Sequence, residues 1–112
     1  MPKSIEELLT LQIKEDAADL HINVGMPPTL RMKGGLHPVD SETVTPEIAT
    51  NYMKAITSRE NQAELQKVGG TDFGFAFKDL ARFRVSIFKE RGNIALALRL
   101  IPYKFLTFEQ VG

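Results

Sequence analysis

Three arginines are the residues of this sequence whose spacing could support chemistry together. Arg82 and Arg84 alternate with apolar residues in one run, and Arg99 alternates with apolar residues in the next. A planar guanidinium donates paired hydrogen bonds to a carboxylate or a phosphate, so such a cluster can bind an anion. Like charges that lie opposite each other are also unfavourable. An anion must therefore offset the cluster, either a carboxylate of this chain or a phosphate from elsewhere.

The run that carries the arginines, Ala81 to Leu100, has the pattern of a β-hairpin. Its apolar residues recur with a period of two on both sides of a short loop, Lys89–Gly92, which indicates two strands with one buried and one open face. If Phe88 pairs with Asn93, three apolar pairs fall together on the buried face: Ile87 with Ile94, Val85 with Leu96, and Phe83 with Leu98. This register predicts three pairs on the open face: Arg82 with Arg99, Arg84 with Ala97, and Ser86 with Ala95.

The aromatic run Thr71–Phe77 predicts a third strand beside the hairpin. A short turn after it would place Gly74 opposite Arg84, and such small neighbours leave the guanidiniums accessible. The alternative is an exposed strand face whose arginines pair with Asp72 and other acids. The residues expected to be buried on the other face of this sheet are Phe73, Phe75, Phe83, Val85, Leu96 and Leu98.

Two elements near the N-terminus have clear patterns. Residues 4–15 form an amphipathic helix, in which Ser4 and Glu7 have the spacing of a capping box. Residues 19–24 alternate as a strand with Asp19 and His21 on its polar side. An Asp and a His two residues apart could form half of a metal or acid–base site, and the alternative is a pair of hydrogen-bonding surface residues.

The remaining pattern completes an α/β domain of the α+β type. Residues 29–33 and 36–39 read as strands around a Gly-Gly turn. Pro46 occupies the first position of a second helix, and a third helix begins after Thr57 or Ser58 and ends at Gly69. Strands and helices grouped in separate runs with short connections predict an antiparallel sheet with helices packed on one face.

Composition excludes several classes of protein. The 112 residues suit one domain, and 14 basic residues balance 14 acidic ones, so there is no bulk electrostatic argument for nucleic acid. The absence of cysteine excludes a disulfide scaffold and suits a cytosolic protein. No apolar run approaches the length of a membrane span, and the charged N-terminus is not that of a signal peptide. Because no G-x-x-x-x-G-K-[ST] loop is present, we do not expect this chain to be an enzyme by itself.

Five motifs occur in an informative order: Ala18–Ile22, Gly25–Pro28 with Arg31, Thr71–Phe75, Ala81–Val85 and Arg99–Pro102. Their order resembles the N-terminal domain of secretion ATPases of the type II/type IV pilus superfamily, and the Gly-x-Pro-Pro form is most similar to the PilT branch of twitching-motility retraction ATPases. One departure is Ala18, where the family commonly has Ser. The RecA-like domain with the Walker motifs is absent from residues 1–112, and Thr107–Gly112 looks like the start of a helix. We therefore expect these residues to be a single N-terminal domain of a longer chain.

The resemblance implies a PAS-like domain of a hexameric motor that hydrolyses ATP with Mg²⁺, while the isolated domain needs no cofactor. It implies that Arg84 and Arg99, with Arg82 as a third candidate, contact the phosphates of ATP. The implied partners are the RecA-like domains of the same and neighbouring subunits and the pilus platform of the inner membrane, not nucleic acid. Asp19 and His21 are candidates for an intersubunit contact. The implied location is the cytoplasm, peripheral to the inner membrane, and the motor could serve either retraction or extension of the pilus.

A second hypothesis is a free-standing PAS-like module that senses or binds a ligand or another protein. Such a module should carry its own enclosed polar pocket. The sequence shows no cluster of polar residues at buried positions of its pattern, and the pilus motor domain is the hypothesis that we carry forward.

Overall fold

The computed structural model describes residues 3–39 and 42–102, within which the chain forms three helices and six strands. The helices are α1 (Ile5–Lys14), α2 (Pro46–Ile56) and α3 (Arg59–Val68). The strands are β1 (Asp19–Ile22), β2 (Thr29–Met32), β3 (Gly35–Pro38), β4 (Gly70–Phe77), β5 (Ala81–Glu90) and β6 (Asn93–Pro102). The helix start predicted at Thr107–Gly112 lies outside the described residues.

The six strands form one sheet in the order β3-β2-β1-β6-β5-β4, and every neighbouring pair is antiparallel. The N-terminal strand β1 therefore lies between β2 and the last strand β6. Helix α2 packs on β6, and α3 packs on β4 and β5. The structure confirms the predicted α+β class, an antiparallel sheet with helices on one face.

Each helix begins at a residue that satisfies its free amide groups. Ser4 and Glu7 form the predicted capping box of α1, with hydrogen bonds in both directions. Thr45 caps α2 ahead of Pro46, and Ser58 caps α3. Helix α3 ends where Gly69 takes a left-handed conformation, with φ of 84°, which a residue without Cβ adopts at little cost. These boundaries agree with the sequence analysis.

The core lies between the helices and one face of the sheet. Of the six residues expected there, four are fully buried: Phe83, Val85, Leu96 and Leu98. They meet Leu8 and Leu9 of α1 in the same hydrophobic cluster. The remaining two, Phe73 and Phe75, are only partly buried. Both belong to β4, an edge strand with a neighbouring strand on one side only.

The register predicted for the hairpin of β5 and β6 is wrong by two residues. The turn is Arg91-Gly92, with φ of 54° and 83°, the positive values of a type I′ turn. Glu90 therefore pairs with Asn93, and Lys89 and Glu90, which were expected in the loop, belong to β5. A shift of two residues leaves every side chain on its predicted face, because the side-chain period in a strand is two.

The corrected register changes the partners of the arginines. Arg84, rather than Arg82, lies directly opposite Arg99, and Arg82 lies opposite Ile101. The predicted pairing of Gly74 with Arg84 between β4 and β5 is confirmed.

Candidate functional site

One row of side chains crosses the open face of the whole sheet. The antiparallel registers connect its members from β3 to β4 in the order Leu36, Arg31, Asp19, Arg99, Arg84 and Gly74. Neighbouring strands lie about 4.8 Å apart, so consecutive members of the row are in reach of one another. Three guanidiniums and one carboxylate occupy this row, so the row carries an excess of positive charge.

Asp19 lies at the centre of the row and is paired on both sides. Its residue is 7% exposed, and its Oδ1 accepts a hydrogen bond from Arg99 Nε at 3.3 Å. Arg31 Nη1 lies 3.7 Å from Asp19 Oδ2. The Arg31 and Arg99 side chains are 62% and 68% exposed, so their outer donors remain accessible to water. The anion that offsets these two arginines is therefore a carboxylate of this chain.

Asp72, the carboxylate that the alternative hypothesis named for this role, has another partner. Asp72 accepts a hydrogen bond from the hydroxyl of Ser86, the residue opposite it across β4 and β5. No ion pair joins Asp72 to an arginine within residues 3–39 and 42–102. Pairing of the arginines with internal acids thus accounts for Arg99 and Arg31 but not for the rest of the cluster.

Arg82 and Arg84 are exposed on β5 and have no acidic partner among residues 3–39 and 42–102. Neither guanidinium makes a hydrogen bond or an ion pair with any residue that the structure describes. Both lie beside Gly74, and a Cβ added to that glycine would lie 3.9 Å from Arg82 Nη2. Gly74 has no side chain to cover the two guanidiniums, and both arginines are exposed, as the sequence predicted.

Arg84 lines two depressions of the open face. One, of about 430 Å³, lies toward the β4 edge, where Arg82, Gly74 and Asp72 also line it. The other, of about 270 Å³, lies toward β1, where Asp19, Arg31 and Arg99 contribute. An anion in either depression would meet the guanidinium of Arg84, which has no partner among the described residues, so this residue is the centre of the candidate site.

His21 lies in the second depression but takes no part in the ion pairs. It is half-buried on β1, opposite Ala97 of β6 and Thr29 of β2. The described residues contain no group of three or more His, Cys, Asp and Glu side chains that could hold a metal ion. Asp19 instead pairs with Arg31 and Arg99 and neutralises part of their positive charge. The contact that the resemblance suggested for Asp19 and His21 stays a prediction.

Arg31 is the member of the row that the sequence analysis did not assign to the cluster. Alternation along β2 places it on the polar face, and this signal is visible in the sequence. Its proximity to Asp19 depends on the pairing of β1 with β2, which local alternation does not specify.

In the described part of the chain, no helix is long and apolar enough to cross a membrane.

Comparison with known proteins identifies relatives of the chain, although no family model matches it. The type IV pilus retraction ATPase PilT of Pseudomonas aeruginosa is 31% identical over 108 residues, which are 96% of this chain and 31% of that protein. The structure of the pilus retraction motor PilT with bound ADP superposes with a TM-score of 0.82 at 32% identity, covering 89% of this chain and 29% of the other. The chain is a homologue of the N-terminal region of PilT-like secretion ATPases.

One further relative agrees with this result, and one further solved structure shares the fold. The type IV pilus ATPase PilU of Pseudomonas aeruginosa is 26% identical over 106 residues, 95% of this chain and 28% of that protein. The ATPase DotB of Legionella pneumophila has a TM-score of 0.76 at 18% identity, over 91% of this chain and 31% of the other, and shares the fold. The resemblance found in the sequence is confirmed, and the chain spans about a third of the length of the proteins that it matches.

Proposed function

We propose that this chain is the N-terminal domain of a type IV pilus motor ATPase and that its arginine cluster contacts the phosphates of ATP. In this proposal a RecA-like domain of the same protein binds ATP with Mg²⁺, and six subunits form the motor. Its homology to PilT and PilU supports the assignment to a pilus motor. The observation that carries the phosphate contact is the exposed guanidinium of Arg84, which has no ion pair among the described residues and lies directly opposite Arg99.

The geometry of β5 and β6 suits a phosphate ligand. Residues directly opposite each other in an antiparallel pair have Cα atoms about 4.5–5.5 Å apart, so Arg84 and Arg99 can contact one phosphoryl group together. A guanidinium offers paired donors that match two phosphate oxygens, and it stays charged at any physiological pH. An anion also relieves the repulsion between the two cations. In this proposal Arg82, beside Gly74, would contact a neighbouring phosphate.

The open face can serve this role because the helices cover the other side of the sheet. A RecA-like domain of the same or a neighbouring subunit would dock on the open face and bring its nucleotide to the arginines. Asp19 and His21 lie on this face, and we propose them as neighbours of the domain contact. The motor would act in the cytoplasm at the pilus platform of the inner membrane.

The ligand-binding module is the weaker hypothesis. It requires an enclosed polar pocket, but apolar side chains fill the space between helices and sheet in residues 3–39 and 42–102. The buried polar residues of this part are Gln12, Asp19 and Thr71, which belong to α1, β1 and β4. No observation on the described residues favours this module over the motor domain.

The test is ATP turnover by the longer protein that carries this chain. We expect Arg84→Ala to lower kcat at least tenfold, because arginines that contact a transferring phosphoryl group contribute about 10³–10⁵ in rate. Arg84→Lys should recover little, since an ammonium cannot donate the paired hydrogen bonds. The matched control is Arg59→Ala, which removes an exposed arginine at the start of α3, on the helical side. The 112-residue chain alone should hydrolyse no ATP.

Arg99→Ala should also lower kcat, but it has a second effect that Arg84→Ala lacks. It removes one partner of the buried Asp19 carboxylate, so it should lower the free energy of unfolding by about 1 kcal/mol. Arg84→Ala should leave the melting temperature unchanged within error. Near-normal turnover in both variants, or a reading frame that carries no phosphate-binding loop beyond this chain, would refute the proposal.

A further inference from the structure

We propose that Asp19 is a positioning residue that restrains Arg99, so that its carboxylate and a phosphate compete for the same guanidinium. When Arg99 turns to the phosphate, Arg31 retains the carboxylate. The inference rests on the proposed function, because it explains why Arg99 contacts the phosphate only after it has left Asp19. It assigns roles to Asp19 and Arg31, which neither the sequence pattern nor the comparisons supply.

The first observation is that the two arginines bind different oxygens of one carboxylate. Arg99 Nε donates to Oδ1 at 3.3 Å, and Arg31 Nη1 lies 3.7 Å from Oδ2. The three residues come from adjacent strands β6, β1 and β2 in one row. The contact with Arg31 can therefore persist when the contact with Arg99 breaks, and the buried charge of Asp19 keeps a partner throughout.

The second observation is that only one side of the contact can move. The Asp19 side chain is 11% exposed, and β1 is hydrogen-bonded to a strand on each side. The Arg99 side chain is 68% exposed and has several rotatable bonds. A buried ionised carboxylate is held by its need for a partner, whereas an exposed guanidinium exchanges partners at little cost. Displacement by a phosphate therefore moves Arg99 and leaves Asp19 in place.

The third observation is the difference between Arg99 and its neighbour Arg84. Arg84 has no internal acidic partner within the described residues, so it can bind an incoming anion without breaking a contact. Arg99 must first leave Asp19. A phosphate should thus be bound first by Arg84, and Arg99 should join only when the anion competes successfully with the carboxylate.

The test measures the affinity of the 112-residue chain for tripolyphosphate, by NMR titration at fixed low ionic strength. We expect Asp19→Asn to bind tripolyphosphate about two- to fivefold more tightly than the wild type, the range that corresponds to a partly exposed ion pair. The matched control is Asp72→Asn, which removes the same charge from the same face but contacts Ser86 rather than an arginine. Asp72→Asn should raise the affinity for tripolyphosphate less than Asp19→Asn does.

A second comparison separates competition from charge acting through space. When Arg99 has been replaced by Ala, Asp19→Asn should raise the tripolyphosphate affinity no more than Asp72→Asn does. The reason is that the Arg99 guanidinium, which Asp19 would otherwise hold, is no longer present. An unchanged or weakened affinity in Asp19→Asn, an equal gain in Asp72→Asn, or a full gain that persists without Arg99 would each overturn the inference. So would the absence of measurable tripolyphosphate binding in both the wild type and Asp19→Asn.

One measurement on the wild-type chain keeps the inference testable if Asp19→Asn does not fold. The side-chain Nε–H resonance of Arg99 should shift as tripolyphosphate is added. It should reach its plateau at the same tripolyphosphate concentration as the Nε–H resonance of Arg84. An Arg99 resonance that stays unchanged at saturation would refute competition. These measurements concern anion binding by this chain, so they remain valid if ATP turnover in the longer protein proves insensitive to Arg84 and Arg99. That result would overturn the proposed function alone.

Discussion

Truncation of Phe83 to alanine should remove a large share of the stability of this domain. Phe83 is 1% exposed on the helix-facing side of β5, and its ring meets that of Phe77 edge-on with centroids 6.4 Å apart. Replacement of a buried Phe by Ala costs about 3–5 kcal/mol, from lost transfer energy and the cavity that remains. A domain of 112 residues has about 6–17 kcal/mol of unfolding free energy in total.

The matched control is Phe88→Ala, which makes the same substitution on the same strand. Phe88 is 39% exposed and lies on the open face opposite Ala95. Because far less apolar surface leaves a packed environment, we expect this variant to lose less than about 1.5 kcal/mol. The two substitutions therefore compare the two faces of β5 directly.

Chemical unfolding followed by circular dichroism measures the loss of unfolding free energy in both variants. The urea midpoint of Phe83→Ala should fall strongly with an unchanged m-value, and its melting temperature should drop by at least about 12 °C. If Phe88→Ala is as destabilising as Phe83→Ala, the assignment of the two faces is wrong. An unchanged unfolding curve for Phe83→Ala would refute the placement of the core.

Two further predictions test the hairpin. The chain has no cysteine of its own. The double substitution Arg84→Cys with Arg99→Cys should form a disulfide on mild oxidation, because directly opposite residues lie within disulfide range. Arg82→Cys with Arg99→Cys should not, since diagonal positions lie about 7–8 Å apart. If mass spectrometry finds the disulfide only in the second pair, the register first predicted is correct. Arg91→Asn should raise the unfolding free energy by about 0.5 kcal/mol, because Asn tolerates the positive φ at this turn position better than Arg does, and an unfolding curve at or below that of the wild type would contradict the turn geometry.

Much of the local structure could be predicted because short-range rules determine it. Ser4, Thr45 and Ser58 each precede a helix and cap it, since a side-chain oxygen at that position satisfies a free amide whatever the rest of the fold does. The faces of β4, β5 and β6 follow from alternation with a period of two. This is why Arg82, Arg84 and Arg99 could be placed on one open face from the sequence.

The tertiary structure decided which of these side chains meet. A hairpin loop of two or four residues gives the same faces but different partners, and the compact turn at Arg91-Gly92 places Arg84 opposite Arg99. Asp19 reaches Arg99 across 80 positions of the sequence, because β1 inserts between β2 and β6. Alternation within a strand does not specify its neighbours in the sheet. The identity of the carboxylate that pairs with Arg31 and Arg99 therefore depended on strand order, a long-range property that no local pattern contains.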